Sequence, residues 1–107
     1  MYRKVMAELK WDSPSKRDTF KTNLAKKLSN IPCHDENVVH GEDIEGNPHS
    51  SIDVRPESDA DADDLYSHVK RAMDNIPGLT GRVTVHDCRH DEGPPFEECT
   101  INREYEV

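Results

Sequence analysis

The side chains best suited to chemistry are three cysteines and six histidines, and most of them fall in two stretches. Cys33-His34 with His40 makes the first, and His86, Cys88, His90 and Cys99 make the second. Thiolate and imidazole are the donors that tetrahedral zinc prefers, so either stretch supplies enough ligands for a site. The spacing departs from that of zinc modules: no C-x-x-C pair exists, and Cys88-Arg89-His90 runs straight into an acidic segment. If Cys88 and Cys99 face each other across a hairpin, a disulfide is the other option, which a reducing compartment disfavours. The sequence therefore predicts free thiols and no cofactor, with Cys88, His90 and Cys99 as the set to check for metal.

Carboxylates are so frequent that pairs of them carry no information. Acid–base work needs a carboxyl whose pKa is shifted by burial or by a coupled charge. Asp53 is the one to watch, because Lys4, Glu8 and Arg55 fall on the same face of the strands expected around it. A solvated lattice of ion pairs is the better account of that grouping. Nucleophile signatures are absent: there is no G-x-S-x-G, no H-E-x-x-H and no glycine-rich phosphate loop. No catalytic residue is predicted. The densest charge is Asp59, Asp61, Asp63 and Asp64, with Glu42, Asp43 and Glu45 upstream, an array that could meet a basic partner.

The elements that carry these residues are written twice. Asn30-Ile31-Pro32 returns as Asn75-Ile76-Pro77, 45 positions later. At the same offset Ser13 matches Ser58, Phe20 matches Leu65, Leu24 matches Val69, Leu28 matches Met73 and Val38 matches Val83. Val5, Ala7, Leu9 and Trp11 alternate with charged residues, which predicts a half-buried strand over 2–11. Ser13-Pro14 starts a helix: the serine caps an orphan N–H, and proline at the first turn loses nothing. Pro32 stops it near Asn30. Cys33–Asn37 reads as a polar connection, Val38–His40 as a short strand, and Gly41–His49 as a loop. Ser51–Arg55 alternates again. Ser58 caps the second helix, whose early aspartates suit the positive end of the helix dipole and whose Leu65, Val69, Ala72, Met73 and Ile76 form one stripe. Gly81–Cys88 is a strand with Val83 and Val85 on one side and Thr84, His86 and Cys88 on the other. Arg89–Glu98 reads as a polar loop. Cys99–Val107 is a last strand, with Ile101, Tyr105 and Val107 expected on one face.

Two β-α-β halves under the right-handed crossover rule give an α+β, ferredoxin-like βαββαβ sandwich with an extra C-terminal edge strand. The 107 residues are expected to form one domain, with repeat halves at about 1–41 and 50–88 and the last strand at 99–107. The net charge is −8 and is unevenly spread: residues 1–33 hold eight Lys/Arg against three Asp/Glu, and residues 34–64 hold one against eleven. No apolar run reaches the ~20 residues that span a bilayer, so a cytoplasmic protein without a membrane segment is expected. A sheet of this kind reads single-stranded RNA only with aromatics in a positive field, and a pI near 5.1 argues against nucleic acid as a partner. The residues lead to a small acidic module acting through a protein partner, or through a second copy of itself as a homodimer. Its expected tools are the basic first helix, the acidic 35–64 segment, and the face or edge of the sheet. The alternatives are a phage-type acidic decoy that uses Asp59, Asp61, Asp63 and Asp64 to mimic nucleic-acid phosphates, and a small zinc-binding protein.

Overall fold

A computed structural model describes residues 2–88 and 99–107 of the chain. The elements follow as β1 (Tyr2–Lys10), α1 (Pro14–Leu28), β2 (Cys33–Glu42), β3 (Pro48–Pro56), α2 (Asp59–Asn75), β4 (Thr80–Cys88) and β5 (Cys99–Glu106). One sheet holds all five strands in the order β2-β3-β1-β4-β5, and every neighbouring pair is antiparallel. This is the ferredoxin-like α+β arrangement expected from the repeat, with the extra strand at an edge.

The alternation in β1 has the predicted consequence. Val5, Ala7, Leu9 and Trp11 are buried beneath the helices, opposite Val54 and Ile52 of β3 and Val85 and Val83 of β4. Ser13 caps α1 by accepting from the Lys16 N–H, and Ser58 caps α2 by accepting from the Asp61 N–H. The two helices then diverge. α2 buries Ala62, Leu65, Tyr66, Val69 and Met73, whereas α1 buries only Phe20 and Leu24. One buried polar relay ties the layers together: Trp11 Nε1–H donates to Ser50 Oγ at 3.0 Å, and that hydroxyl lies 2.7 Å from His40 Nδ1. At Gly81, φ is +153° and a Cβ would fall 2.2 Å from the Glu8 carbonyl oxygen. Only glycine lets β4 approach β1 this closely.

Two expectations need correction. β2 is not the short Val38–His40 strand with a loop on either side: it runs from Cys33 to Glu42, and β3 begins at Pro48. Backbone pairing with β3 fixes its length, and its side chains can stay polar because most of them point to water. The intended loop shrinks to a tight turn in which Asp43 Oδ1 accepts from the Glu45 and Asn47 N–H groups, both at 2.9 Å. The second correction concerns β5. Tyr105 pairs with Val83 and Arg103 with Val85, but Ile101 pairs with His86, because an irregularity between Val85 and His86 inserts an extra residue in β5. A bulge of that kind reverses the alternation. Tyr105 therefore faces the helices and Ile101 faces the open side of the sheet, rather than sharing one face. The segment 89–98, with its expected loop and His90, lies outside the described residues.

Candidate functional site

The aspartate array gathers at the start of α2, as the sequence requires, but cations of this same chain meet it. Arg3 Nη1 lies 3.1 Å from Asp63 Oδ2, and Arg3 Nε lies 2.9 Å from Asp87 and 4.0 Å from Asp59. Arg103 of β5 approaches Asp63 at 3.6 Å, and Lys27 of α1 approaches Asp64 at 2.6 Å. Asp61 forms no ion pair among the described residues. These are partly exposed pairs, each worth little to stability. Their effect is on the local field: the array is a mesh of both signs.

The cysteines and histidines separate into different surroundings. Cys33 Sγ donates to the Ile31 carbonyl and packs under the helices, while His34 beside it is exposed. His40 belongs to the Trp11–Ser50 relay, and His86 Nε2 lies 2.9 Å from Thr84 Oγ1 on the open face. Cys88 and Cys99 are register partners across β4 and β5, both as free thiols. Cys88 is 1% exposed, and burial together with a hydrogen bond to Cys99 pushes its thiol up to about 12. No group of three possible metal ligands is gathered among the described residues.

The open face of the sheet is a charge lattice. Lys4 pairs with Asp53 at 2.9 Å, Glu8 accepts from Ser51 at 2.8 Å and meets His49 at 2.9 Å, and Arg82 meets Glu104. Arg55 stacks over the Tyr2 ring at 3.7 Å. Asp53, singled out from the sequence, is an ion-pair partner in this lattice. Met6 and Ile101 line a shallow hollow of about 410 Å³ between Glu8, Arg82 and His86.

A different feature has more shape. Between α1 and β2 lies a hollow of about 390 Å³, lined by Leu24, Ala25, Leu28 and Val38, with Lys21, Ser29, Glu36 and His40 around it. β2 is an edge strand, so its outer backbone groups are unpaired by any described strand. The internal repeat shows what such a hollow accommodates. On the other side of the molecule the equivalent place, outside β4 and beside α2, is filled by β5. Tyr105 sits there opposite Val83, with Lys70 Nζ 5.0 Å from its ring and its hydroxyl donating to Asp74 Oδ1. Moved back by 45 positions, Val83, Lys70 and Asp74 become Val38, Ala25 and Ser29, three residues that line the α1/β2 hollow. The polar run 33–37, which has the composition of a connection, conceals this site in the sequence. The offset itself, applied to the neighbours of Tyr105, is the signal that locates it.

No protein-family model matches this chain, and no curated protein does. Among solved structures the chain is similar in backbone to a crystal structure of aldoxime dehydratase, with a TM-score of 0.47 and 13% identity. That likeness covers 79% of this chain and 28% of the other, so the chain spans little more than a quarter of the protein it matches. Among the described residues no helix is long and apolar enough to cross a membrane.

Proposed function

We propose that this chain is a non-catalytic protein-interaction module that accepts an added β-strand on the outer edge of β2 and seats one apolar side chain of that strand in the α1/β2 hollow. The observation that carries the reading is the pseudo-symmetric placement of Tyr105: the same chain already fills the matching place beside α2 with a strand of its own. Strand addition of this kind takes affinity from main-chain hydrogen bonds and selectivity from alternate side-chain pockets. Leu24, Leu28 and Val38 supply the apolar pocket. Lys21 beside Glu36 gives the rim both signs. The expected tools thus reduce to two, the basic first helix and the sheet edge that opens the acidic segment. The decoy reading has weaker support, since Arg3, Arg103 and Lys27 already occupy Asp59, Asp63 and Asp64.

Selection of nine-residue peptides from a random display library, followed by backbone NMR mapping of the enriched sequences, tests the reading. Peptides with alternating apolar residues should shift the amides of 33–42 together with those of Leu24, Ala25 and Leu28. Shifts confined to 59–64 would favour the decoy instead, and shifts around Met6 and Ile101 would move the site to the open face.

A further inference from the structure

We infer that the strand taken up at this edge is β2 of a second copy of the chain, paired antiparallel about a two-fold axis at Val38. The inference rests on the strand-accepting reading above and names the occupant.

Val38 pairs with Ile52 and Glu36 with Val54, and both partners are buried beneath the helices; His40 pairs with Ser50 on that same side. Glu36, Val38 and His40 therefore point toward the α1 hollow, and all three line it. When two copies of β2 run antiparallel with Val38 facing Val38 of the second copy, Glu36 of each copy faces His40 of the other. On the opposite side of the sheet, Asn37 faces the 64% exposed Val39 and Asp35 faces Gly41. No like charges meet. An axis shifted to Val39 sets Glu36 against Glu42 and Asp35 against Asp43, and an axis at Asn37 sets Glu36 against Val38 and His34 against His40. Like charges directly opposite destabilise a sheet, which excludes the Val39 axis; the Asn37 axis leaves the Glu36 carboxylate against an apolar side chain with no partner, so the Val38 register is selected.

The chemistry at His40 supports the pairing. Trp11 Nε1–H donates to Ser50 Oγ, and the proton of the fully buried Ser50 hydroxyl finds its acceptor in His40 Nδ1, the one other side-chain atom bonded to it among the described residues. That leaves the ring proton on Nε2, which has no partner among the described residues. A carboxylate brought opposite His40 finds this donor, with Lys21 and Arg17 of α1 close enough to act on the same ring and Asp18 as the opposing charge. The basic helix of one copy thus receives the acidic strand of the other, in both directions at once, as an isologous interface demands. Val38 of the second copy enters the hollow at the place that Tyr105 holds beside Val83. Charged side chains on an edge strand ordinarily keep it unpaired. Here their order along β2 makes the edge complementary to itself.

The test is sedimentation velocity of the full chain over a concentration series, with cross-linking of single cysteine variants to read the register. The wild type should form dimers, and Glu36→Lys, which sets a lysine against His40 and Lys21, should raise the dimer dissociation constant at least tenfold. Ile101→Lys, on the open face near the opposite edge, should leave it unchanged. Under mild oxidation Val38→Cys should form a covalent dimer, whereas Val39→Cys and the wild type should not. Trp11 fluorescence confirms that each variant is folded. A wild type that stays monomeric overturns the inference; if selected peptides still map to β2, the strand-accepting reading stands without it. A dimer that survives Glu36→Lys but is lost in Ile101→Lys, or that cross-links through Val39→Cys as readily as through Val38→Cys, overturns it as well.

Discussion

Ser50→Ala should destabilise this domain far more than the loss of one hydroxyl suggests. Ser50 is fully buried and Trp11 is 2% exposed, so neither regains water when the hydroxyl is removed. The indole N–H is then left without an acceptor, at a cost of about 1–3 kcal/mol. His40 Nδ1, which is half-buried, loses its donor at about 0.5–1.5 kcal/mol. The sum is roughly 1.5–4.5 kcal/mol, which at a urea slope of ~1.5 kcal/mol/M moves the midpoint by about 1–3 M. Trp11 is the chain's single tryptophan and packs against Phe20 at a ring distance of 5.0 Å, so its fluorescence reports the transition directly. Ser51→Ala is the internal control. Its hydroxyl donates to Glu8 at 2.8 Å in an exposed setting, and the change should stay within about 0.5 kcal/mol. A double-mutant cycle with Trp11→Phe, followed by circular dichroism, completes the case. Once the indole N–H is gone, Ser50→Ala should cost at least ~1 kcal/mol less than in the wild type, because no buried donor is stranded. If Ser50→Ala costs no more than Ser51→Ala, or if the two changes simply add, the relay does not bind the layers together as argued.

Three further outcomes follow from the same structure. Gly81→Ala sets a Cβ 2.2 Å from a backbone oxygen at φ +153°, and should cost about 3 kcal/mol or more; Gly46→Ala, at φ +84° with open space around it, should cost about 1 kcal/mol in the same thermal melts. Burial holds the pKa of His40, His68 and His86 below the ordinary 6.5, and the nearby Lys21, Lys27 and Arg82 add to the effect. The folded chain therefore resists protonation that the unfolded chain accepts. Stability from these groups is full above pH 6.5 and is lost as pH falls below that value, so equal urea midpoints at about pH 7.5 and about pH 5.5 would contradict the assignment. Cys88, pushed up to about 12, should resist a thiol reagent at neutral pH until the protein is unfolded, and rapid labelling of Cys88 in the native state would contradict its burial.

How much of this was legible in the residues depends on whether a feature is set by side chains or by backbone. The α2 stripe of Leu65, Val69 and Met73 and the caps at Ser13 and Ser58 are side-chain signals, and they appear where the spacing places them. The length of β2 is a backbone property: Asp35, Glu36 and Asn37 carry no strand signal, and they are extended because Arg55, Val54 and Asp53 of β3 pair with them. The face exchange between Ile101 and Tyr105 is also invisible in the alternation, because one extra residue opposite the Val85–His86 step changes the phase. Charge was legible as density but not as balance. Asp59, Asp63 and Asp64 read as an open acidic array until the fold brings Arg3, Arg103 and Lys27 from three other elements to meet them.

The two halves of the repeat share one plan and do not finish it alike, and the proposed binding role rests on that difference. α2 buries five side chains and has β5 closing the sheet beside it; α1 buries two and has no described strand beyond β2. If α1 were merely a weaker copy, its outer face would be polar throughout, and nothing would be lost by leaving it in water. Instead Leu24, Leu28 and Val38 converge on a hollow at the very position where the other half seats Tyr105. An apolar pocket beside an edge strand carries a standing cost, both in exposed apolar surface and in the tendency of such edges to associate without control. A partner strand offsets both at once, since its backbone satisfies the edge and its side chain fills the hollow. Ile101→Lys and Glu36→Lys, each made alone, therefore test more than which surface is used: they ask whether the half that lacks its own fifth strand is the half that recruits one.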